Sequence, residues 1–548
     1  MEANNGRIEA NLVDIETRCV SHVTLAWRDG LIVEIARHGS PDPALPCLLP
    51  GFVDAHVHIE SSMLVPSEFA RLAVRHGTVA AVSDPHEIAN VLGEEGVRFM
   101  LDNAASTPFR ILFGAPACVP ATPFETAGAT LDAAAVARLL DDPRIGYLSE
   151  MMNFPGVLAG DPEVQAKLAA ARARGLPVDG HAPGLRGGEA RRYAAAGILT
   201  DHECRGIEEA EDKLAAGMKI LIREGSAARD FDALHPLIDR HAGRLMFCSD
   251  DKHPDDLAAG HIDRLVARAV AAGHDLFDVL RIACLNPIEH YRLPLGRLRL
   301  GDPFDAALVA DLVDFRPRAT WLRGVLAAQD GRCLLAPVPV VAANRWQARP
   351  IVPDDLRVEV EGAALRVIVA TDGELVTREI HASPRRGDGR WLPDPAQDLL
   401  LLLVMNRYRP APPALAFVRG FGLGRGALAS SVAHDSHNLV AVGADLDDLL
   451  LAVNALVAAG GGIAVAGGGR VERLPLPVAG LMSDADGDTV AARYAELDAL
   501  ARGLGGKLRA PFMTLSFMAL LVIPELKLSD RGLFDGRSFG FVPNAVAA

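Results

Sequence analysis

Between Phe52 and Ala271 the sequence keeps switching its hydrophobic period, and that alternation limits the fold more than any other feature. Short apolar runs of strand length cover 52–57, 78–83, 110–114, 146–150, 177–181, 198–202, 219–223 and 244–250. Each is followed by a segment of helical spacing, among them 67–76, 88–104, 131–140, 162–174, 189–196, 207–216 and 229–241. Helix-end residues support the pattern: Ser67 as an N-cap, Asp161 before Pro162, and Gly77 and Gly175 as stops. After the eighth run, Ile262, Leu265, Val266, Ala269 and Val270 fall on one helical face. Repeated strand–helix units give a parallel sheet with right-handed crossovers. Eight of them predict a closed α/β barrel of the (β/α)8, TIM-like type. An open doubly wound sheet is the alternative, but no GxGxxG opens a helix here.

The barrel does not account for the whole chain. At 548 residues more than one core is needed. Ile8-Glu9-Ala10-Asn11-Leu12-Val13 and Leu31-Ile32-Val33-Glu34-Ile35 read as short strands with the turn Asp29-Gly30 between them, and strands return at 305–309 and 321–328. Residues 1–48 and 301–345 are therefore expected to form one small discontinuous β domain around a barrel at 49–300. Residues 350–548 form an additional C-terminal α+β domain. There Arg357-Val358-Glu359-Val360-Glu361 and Leu365-Arg366-Val367-Ile368-Val369 read as a hairpin. A net charge of −15 speaks against nucleic acid as partner. The first twelve residues carry no export signal, and the longest apolar run, 512–523, is too short to span a bilayer. Seven dispersed cysteines without a CxxC suggest reduced thiols and a cytoplasmic chain.

Active residues of such barrels stand at the C-terminal ends of the strands. The first run ends in His56-Val57-His58, whose imidazoles project from one face because residues two apart on a strand point the same way. The second runs into Ser83-Asp84-Pro85-His86-Glu87, and others end in Glu150, His181, His202 and Asp250. One histidine or carboxylate at a strand end is ordinarily a satisfied polar group, and a lone HxH is weak evidence. Six at one level of one barrel point to a metal site. Four histidines and two carboxylates suit two divalent ions, with Glu150 able to bridge them. Such a pair makes hydroxide available at neutral pH. Asp250, free on one oxygen, could orient that hydroxide and take its proton. The reaction class is attack of hydroxide on an electrophilic carbon.

On these residues the chain resembles the amidohydrolase superfamily and, within it, the bacterial adenine deaminases. The resemblance is carried by Pro50-Gly51-Phe52-Val53-Asp54-Ala55-His56-Val57-His58-Ile59-Glu60-Ser61-Ser62, by Ser83-Asp84-Pro85-His86-Glu87-Ile88-Ala89-Asn90-Val91 and by Ser249-Asp250-Asp251-Lys252-His253-Pro254. Near the C-terminus, Ser431-Val432-Ala433-His434-Asp435-Ser436-His437-Asn438 and Leu526-Lys527-Leu528-Ser529-Asp530-Arg531-Gly532-Leu533 also match, so nearly the whole chain is covered. Many members bridge their metals with a carbamylated lysine; Glu150 in its place fits the deaminase-like branch.

The resemblance implies hydrolysis of adenine to hypoxanthine and ammonia in purine salvage, with two Mn or Fe ions, Zn being a further option. It implies that His56, His58 and Asp250 hold one ion, His181 and His202 the other, and Glu150 joins them. Catalytic roles are expected for Asp250, Glu150, Glu87 and His86, and substrate contacts for Asp84, His86, Glu87, Asp251 and His253. For Asp84, His86 and Glu87 loop capping is the plainer reading, but function is favoured because their loop leaves a barrel strand on the active face; Asp251 and His253 either contact substrate or are simply solvated. His434 and His437 either approach the site from the third region or are structural. A homodimer is expected, with adenine as the small-molecule partner and neither nucleic acid nor membrane. A cyclic amidohydrolase of the hydantoinase or dihydroorotase kind would share the metals and barrel. A non-enzymatic metal-binding scaffold should have lost a ligand, and none is missing.

Overall fold

The computed structural model describes residues 4–387 and 389–546. Four strands come first: β1 (Gly6–Asp14), β2 (Cys19–Arg28), β3 (Leu31–Gly39) and β4 (Cys47–Pro50). The barrel follows as β5 (Phe52–Val57), β6 (Thr78–Ser83), β7 (Arg110–Ala115), β8 (Ile145–Met151), β9 (Val178–Gly180), β10 (Thr200–Asp201), β11 (Lys219–Arg223) and β12 (Leu245–Cys248). Strands β13 (Ala306–Val309), β14 (Pro317–Leu322), β15 (Val325–Gln329) and β16 (Arg332–Cys333) then return to the first group. Together they form one sheet in the order β16-β15-β14-β13-β4-β1-β2-β3. The Asp29-Gly30 turn has φ of 52° and 75°, the two positive values that a tight two-residue hairpin turn needs. It joins β2 to β3, so the sequence reading passed over β2, whose Ser21, His22 and Thr24 dilute the apolar signal.

Strands β5 to β9 pair in parallel order, and β10 to β12 do the same. The two arcs meet at both ends. Leu199 N–H donates to Val178 O at 2.9 Å, and Asp250 N–H donates to His56 O at 2.9 Å. Eight parallel strands thus close into a barrel, as the alternation of periods predicts. Strands β9 and β10 are shorter than the sequence suggests, so His181 and His202 stand one residue beyond their strands. The expected helix 88–104 is two helices, His86–Leu92 and Glu94–Ala104, because Gly93 at φ 65° turns the chain between them. Ser67 does not cap its helix; Pro66 occupies the first turn after Val65, where a missing N–H costs nothing.

The third region contains β17 (Leu365–Val369), β18 (Arg378–Ala382), β19 (Arg385–Gly387), β20 (Arg390–Leu392), β21 (Leu400–Met405), β22 (Ala414–Arg419), β23 (Ala427–Ser430), β24 (Leu439–Gly443), β25 (Gly462–Gly467) and β26 (Arg470–Pro475). Eight of these make a sheet in the order β18-β17-β22-β21-β24-β23-β25-β26. The expected hairpin of 357–361 with 365–369 does not form. β17 pairs with β18, and Val358 makes only an isolated bridge to Trp391. Strand β21 reads Leu-Leu-Leu-Leu-Val-Met because both its faces are covered. Leu400, Leu402 and Val404 join the apolar cluster that includes barrel residues, while Leu401, Leu403 and Met405 pack with Leu449 and Leu456 of helix Leu446–Ala459. Among the described residues no helix is long and apolar enough to cross a membrane.

Candidate metal centre and its cavity

The centre is built outward from Asp54, buried in the barrel on the same side of β5 as His56. Its carboxylate accepts a hydrogen bond from Ser249 N at 2.9 Å and meets His261 Nε2 at 2.9 Å. This ties β5 to the end of β12 and sets the level at which His56, His58 and Asp250 meet. Asp250 has φ 53°, a left-handed conformation uncommon away from glycine. It is held there between His56 O and His58 N.

The donor atoms converge. His56 Nε2 and His58 Nε2 are 3.2 Å apart, and Asp250 Oδ1 lies 3.5 and 3.2 Å from them. Glu150 Oε2 lies 3.1 Å from His181 Nδ1, 3.0 Å from His202 Nε2 and 3.7 Å from His56 Nε2. Ligands about 2.0–2.1 Å from a tetrahedral ion stand about 3.3 Å from one another, so these side chains are spaced as a divalent ion requires. Glu150 is the member common to both groups. Burial alone would raise its carboxyl, but the surrounding imidazoles His181 and His202 outweigh that and hold it well below the carboxylate range.

Asp250 differs from expectation in one respect. Its Oδ2 is not free: Arg223 Nη1 donates to it at 2.9 Å. The same buried guanidinium grips Glu203 and donates to Asp230 at 3.0 Å. Glu203 Oε1 lies 3.8 Å from both His181 Nδ1 and His202 Nε2. Burial works against the charge on Asp250, but hydrogen bonds from His56 and His58 and the Arg223 charge keep it well below its ordinary value. Neither Glu203 nor Arg223 was singled out from sequence. The available signals were an acid directly after His202 and a cation ending the apolar strand β11.

The loop after β6 divides its duties. Asp84 Oδ2 holds His86 Nδ1 at 3.0 Å and Oδ1 accepts from His86 N at 3.1 Å, so Asp84 orients His86 from behind rather than lining the cavity. His86 Nδ1 is 3.5 Å from Glu150 Oε1, next to the candidate metal ligands. Glu87 meets two histidines of the third region: His434 Nδ1 lies against Oε1, and His437 Nε2 against Oε2. Ala433 N–H donates to His437 Nδ1, which leaves the His437 proton on Nε2, facing Glu87. His434 and His437 therefore do reach the site from the third region.

His58, His86, Glu87, Glu150, His181, His202, Asp250 and Asp251 line a narrow cavity at the barrel mouth. Ser61 Oγ donates to Asp251 at 2.5 Å. Glu203, Arg223, His434 and Asp435 line it too, and the rest of the wall is apolar: Met152 and Ala228 from the barrel and Leu375, Phe517, Leu520, Val522 and Ile523 from the third region. His253 does not line it. Its Nδ1 is bonded to Tyr494 Oη at 2.5 Å, and burial pushes its pKa down to about 3. It packs behind the wall, with the Tyr494 ring against it.

Comparison with known proteins fits this geometry. The model of the amidohydrolase family matches residues 47–327, and that of the adenine deaminase C-terminal domain matches 374–540. The chain is 57% identical to the adenine deaminase of Salinibacter ruber over 98% of its own length and 99% of that protein's. It is 54% identical to the adenine deaminase of a Sulfurovum species and 42% identical to that of Borreliella burgdorferi, with the same coverage in both cases. A divalent-metal centre is what the family implies, and the converging histidines and carboxylates fit one. The chain belongs to the amidohydrolase family and, within it, to the adenine deaminases.

Proposed function

We propose that the chain hydrolyses adenine to hypoxanthine and ammonia in a cavity closed jointly by the barrel mouth and the third region. The observation that carries this reading is 57% identity to an adenine deaminase along almost the entire chain. The side chains add to it. His56, His58 and Asp250 would hold one divalent ion, His181 and His202 a second, and Glu150 would touch both. Manganese or iron suits this nitrogen and oxygen donor set, and zinc is compatible with it. When bound, such ions lower the pKa of water so that hydroxide is present at neutral pH.

The chain's own residues do the rest. Asp250, anchored on Oδ2 by Arg223, offers Oδ1 to accept the proton of the hydroxide that adds to C6 of the ring and to pass it to the amino nitrogen, so that the C6–N bond breaks and ammonia leaves. His86, fixed by Asp84, faces the same space and delivers a proton to a ring nitrogen as the carbon becomes tetrahedral. The apolar wall around Phe517 and Leu520 packs the ring face and excludes bulk water. The same reading places the enzyme in the cytoplasm, where its cysteines stay reduced.

The test is formation of hypoxanthine and ammonia from adenine by manganese-loaded protein, with adenosine and dihydroorotate as comparisons. Adenine is expected to have the highest kcat/KM. A preference for adenosine, or turnover of dihydroorotate alone, would contradict the assignment.

A further inference from the structure

The segment 431–438, between β23 and β24, enters the barrel mouth and is fixed there from several sides. His437 contacts Glu87, and Asn438 Nδ2 donates to Thr126 O at 2.9 Å. Tyr408 Oη donates to Ser436 O at 2.5 Å, and Ser516 Oγ accepts from His434 N at 3.0 Å. At its centre Asp435 is only 4% exposed and lines the metal-bearing cavity. Its Oδ2 is buried and has no hydrogen-bond partner, and its Oδ1 is 3.8 Å from His86 Nε2. A buried carboxylate oxygen left without a donor is costly. An occupant of the cavity that brings an N–H to this wall would satisfy it.

We propose that Asp435 is a specificity-determining residue that accepts a hydrogen bond from the ring N–H of the free purine base. The inference rests on adenine as substrate. A free base carries one N–H on its imidazole ring, whereas a nucleoside or a 9-alkyl purine bound in the same pose has none. A site built to pair with a substrate N–H rejects analogues that lack it, because its own buried group is then left unpaired. The third region thereby selects the base while the barrel carries out the hydrolysis. Asp435 also stands near His86 and Glu87 in a grouping able to hold a cation, so the test must separate the two roles.

Holoenzyme of Asp435→Asn and of Asp435→Ala is compared with wild type for metal content and for kcat and KM on adenine and 9-methyladenine. Both variants should keep the wild-type metal content. KM for adenine should rise about 10-fold or more, the scale of one hydrogen bond to a charged group, with kcat changed far less. The wild-type preference for adenine over 9-methyladenine should shrink by a similar factor. Loss of a metal equivalent in both variants, or an unchanged KM and unchanged preference, would overturn the proposal. Absence of ammonia release from adenine by wild-type holoenzyme would instead count against the substrate reading itself.

Discussion

Glu150 touches both halves of the donor cluster, and its replacement is the sharpest single-residue test. Glu150→Gln keeps the shape but removes the charge that offsets two cations. Metal analysis of this variant is expected to find one or both ions lost, and the assay to find nearly all turnover gone. Two tightly held ions and normal turnover would remove Glu150 from the bridge. Asp250→Asn should lower kcat by about 10²-fold or more, the usual scale for a positioned proton acceptor; an unchanged rate would exclude Asp250 from proton transfer. Arg223→Met leaves Glu203 and Asp250 buried without their counter-charge. Breaking a buried pair of this kind costs about 3–5 kcal/mol, so a clear fall in Tm is expected along with the loss of rate. At this scale the sequence is most legible where a converging donor side chain ends a strand. His56, His58, Glu150, His181, His202 and Asp250 could be found by asking what stands at each barrel mouth. Glu203 and Arg223 escape that question, because no spacing rule marks a guanidinium that bridges three carboxylates.

The elements that shape the cavity depend on buried supports as much as on strands. Lys527, on a strand that spans Leu526–Ser529, is fully buried and donates to Leu375 O at 2.7 Å and Phe517 O at 2.9 Å. Both of those residues line the cavity. Burial, with the Arg205 charge adding to it, pushes the Lys527 ammonium down to about pKa 7. An unfolded lysine titrates near 10.4, so between about pH 7 and 10.4 the unfolded chain binds more protons than the folded one. Stability therefore rises with pH through that window. The Tm of wild type should rise relative to that of Lys527→Met from pH 6.5 to pH 9; a constant offset between the two would show that Lys527 is not neutralised on folding. The periodic segments were legible at this scale and their ends were not. Gly93 splits one expected helix, and β9 and β10 stop one residue before His181 and His202. The hairpin expected at 357–369 does not form: alternating Arg, Val and Glu fits a strand, yet the partner of β17 lies later, at β18.

At the scale of the molecule, one apolar cluster runs from barrel residues such as Phe69 and Leu148 into the third region at Leu402, Val404 and Phe517. The third region also supplies most of the cavity's apolar wall and the loop bearing His434 and Asp435. Barrel topology could be inferred from eight changes of period, but a wall assembled from residues hundreds of positions away leaves no local pattern. Its apolar members are indistinguishable in sequence from core. The central claim is that metal held at this mouth enables adenine deamination, and the direct measurement is a titration of chelator-stripped protein with Mn(II) while ammonia release from adenine is followed. Turnover should be negligible at the start, climb with bound metal and level off at about two equivalents per chain. Full turnover of adenine by metal-free protein would contradict the account.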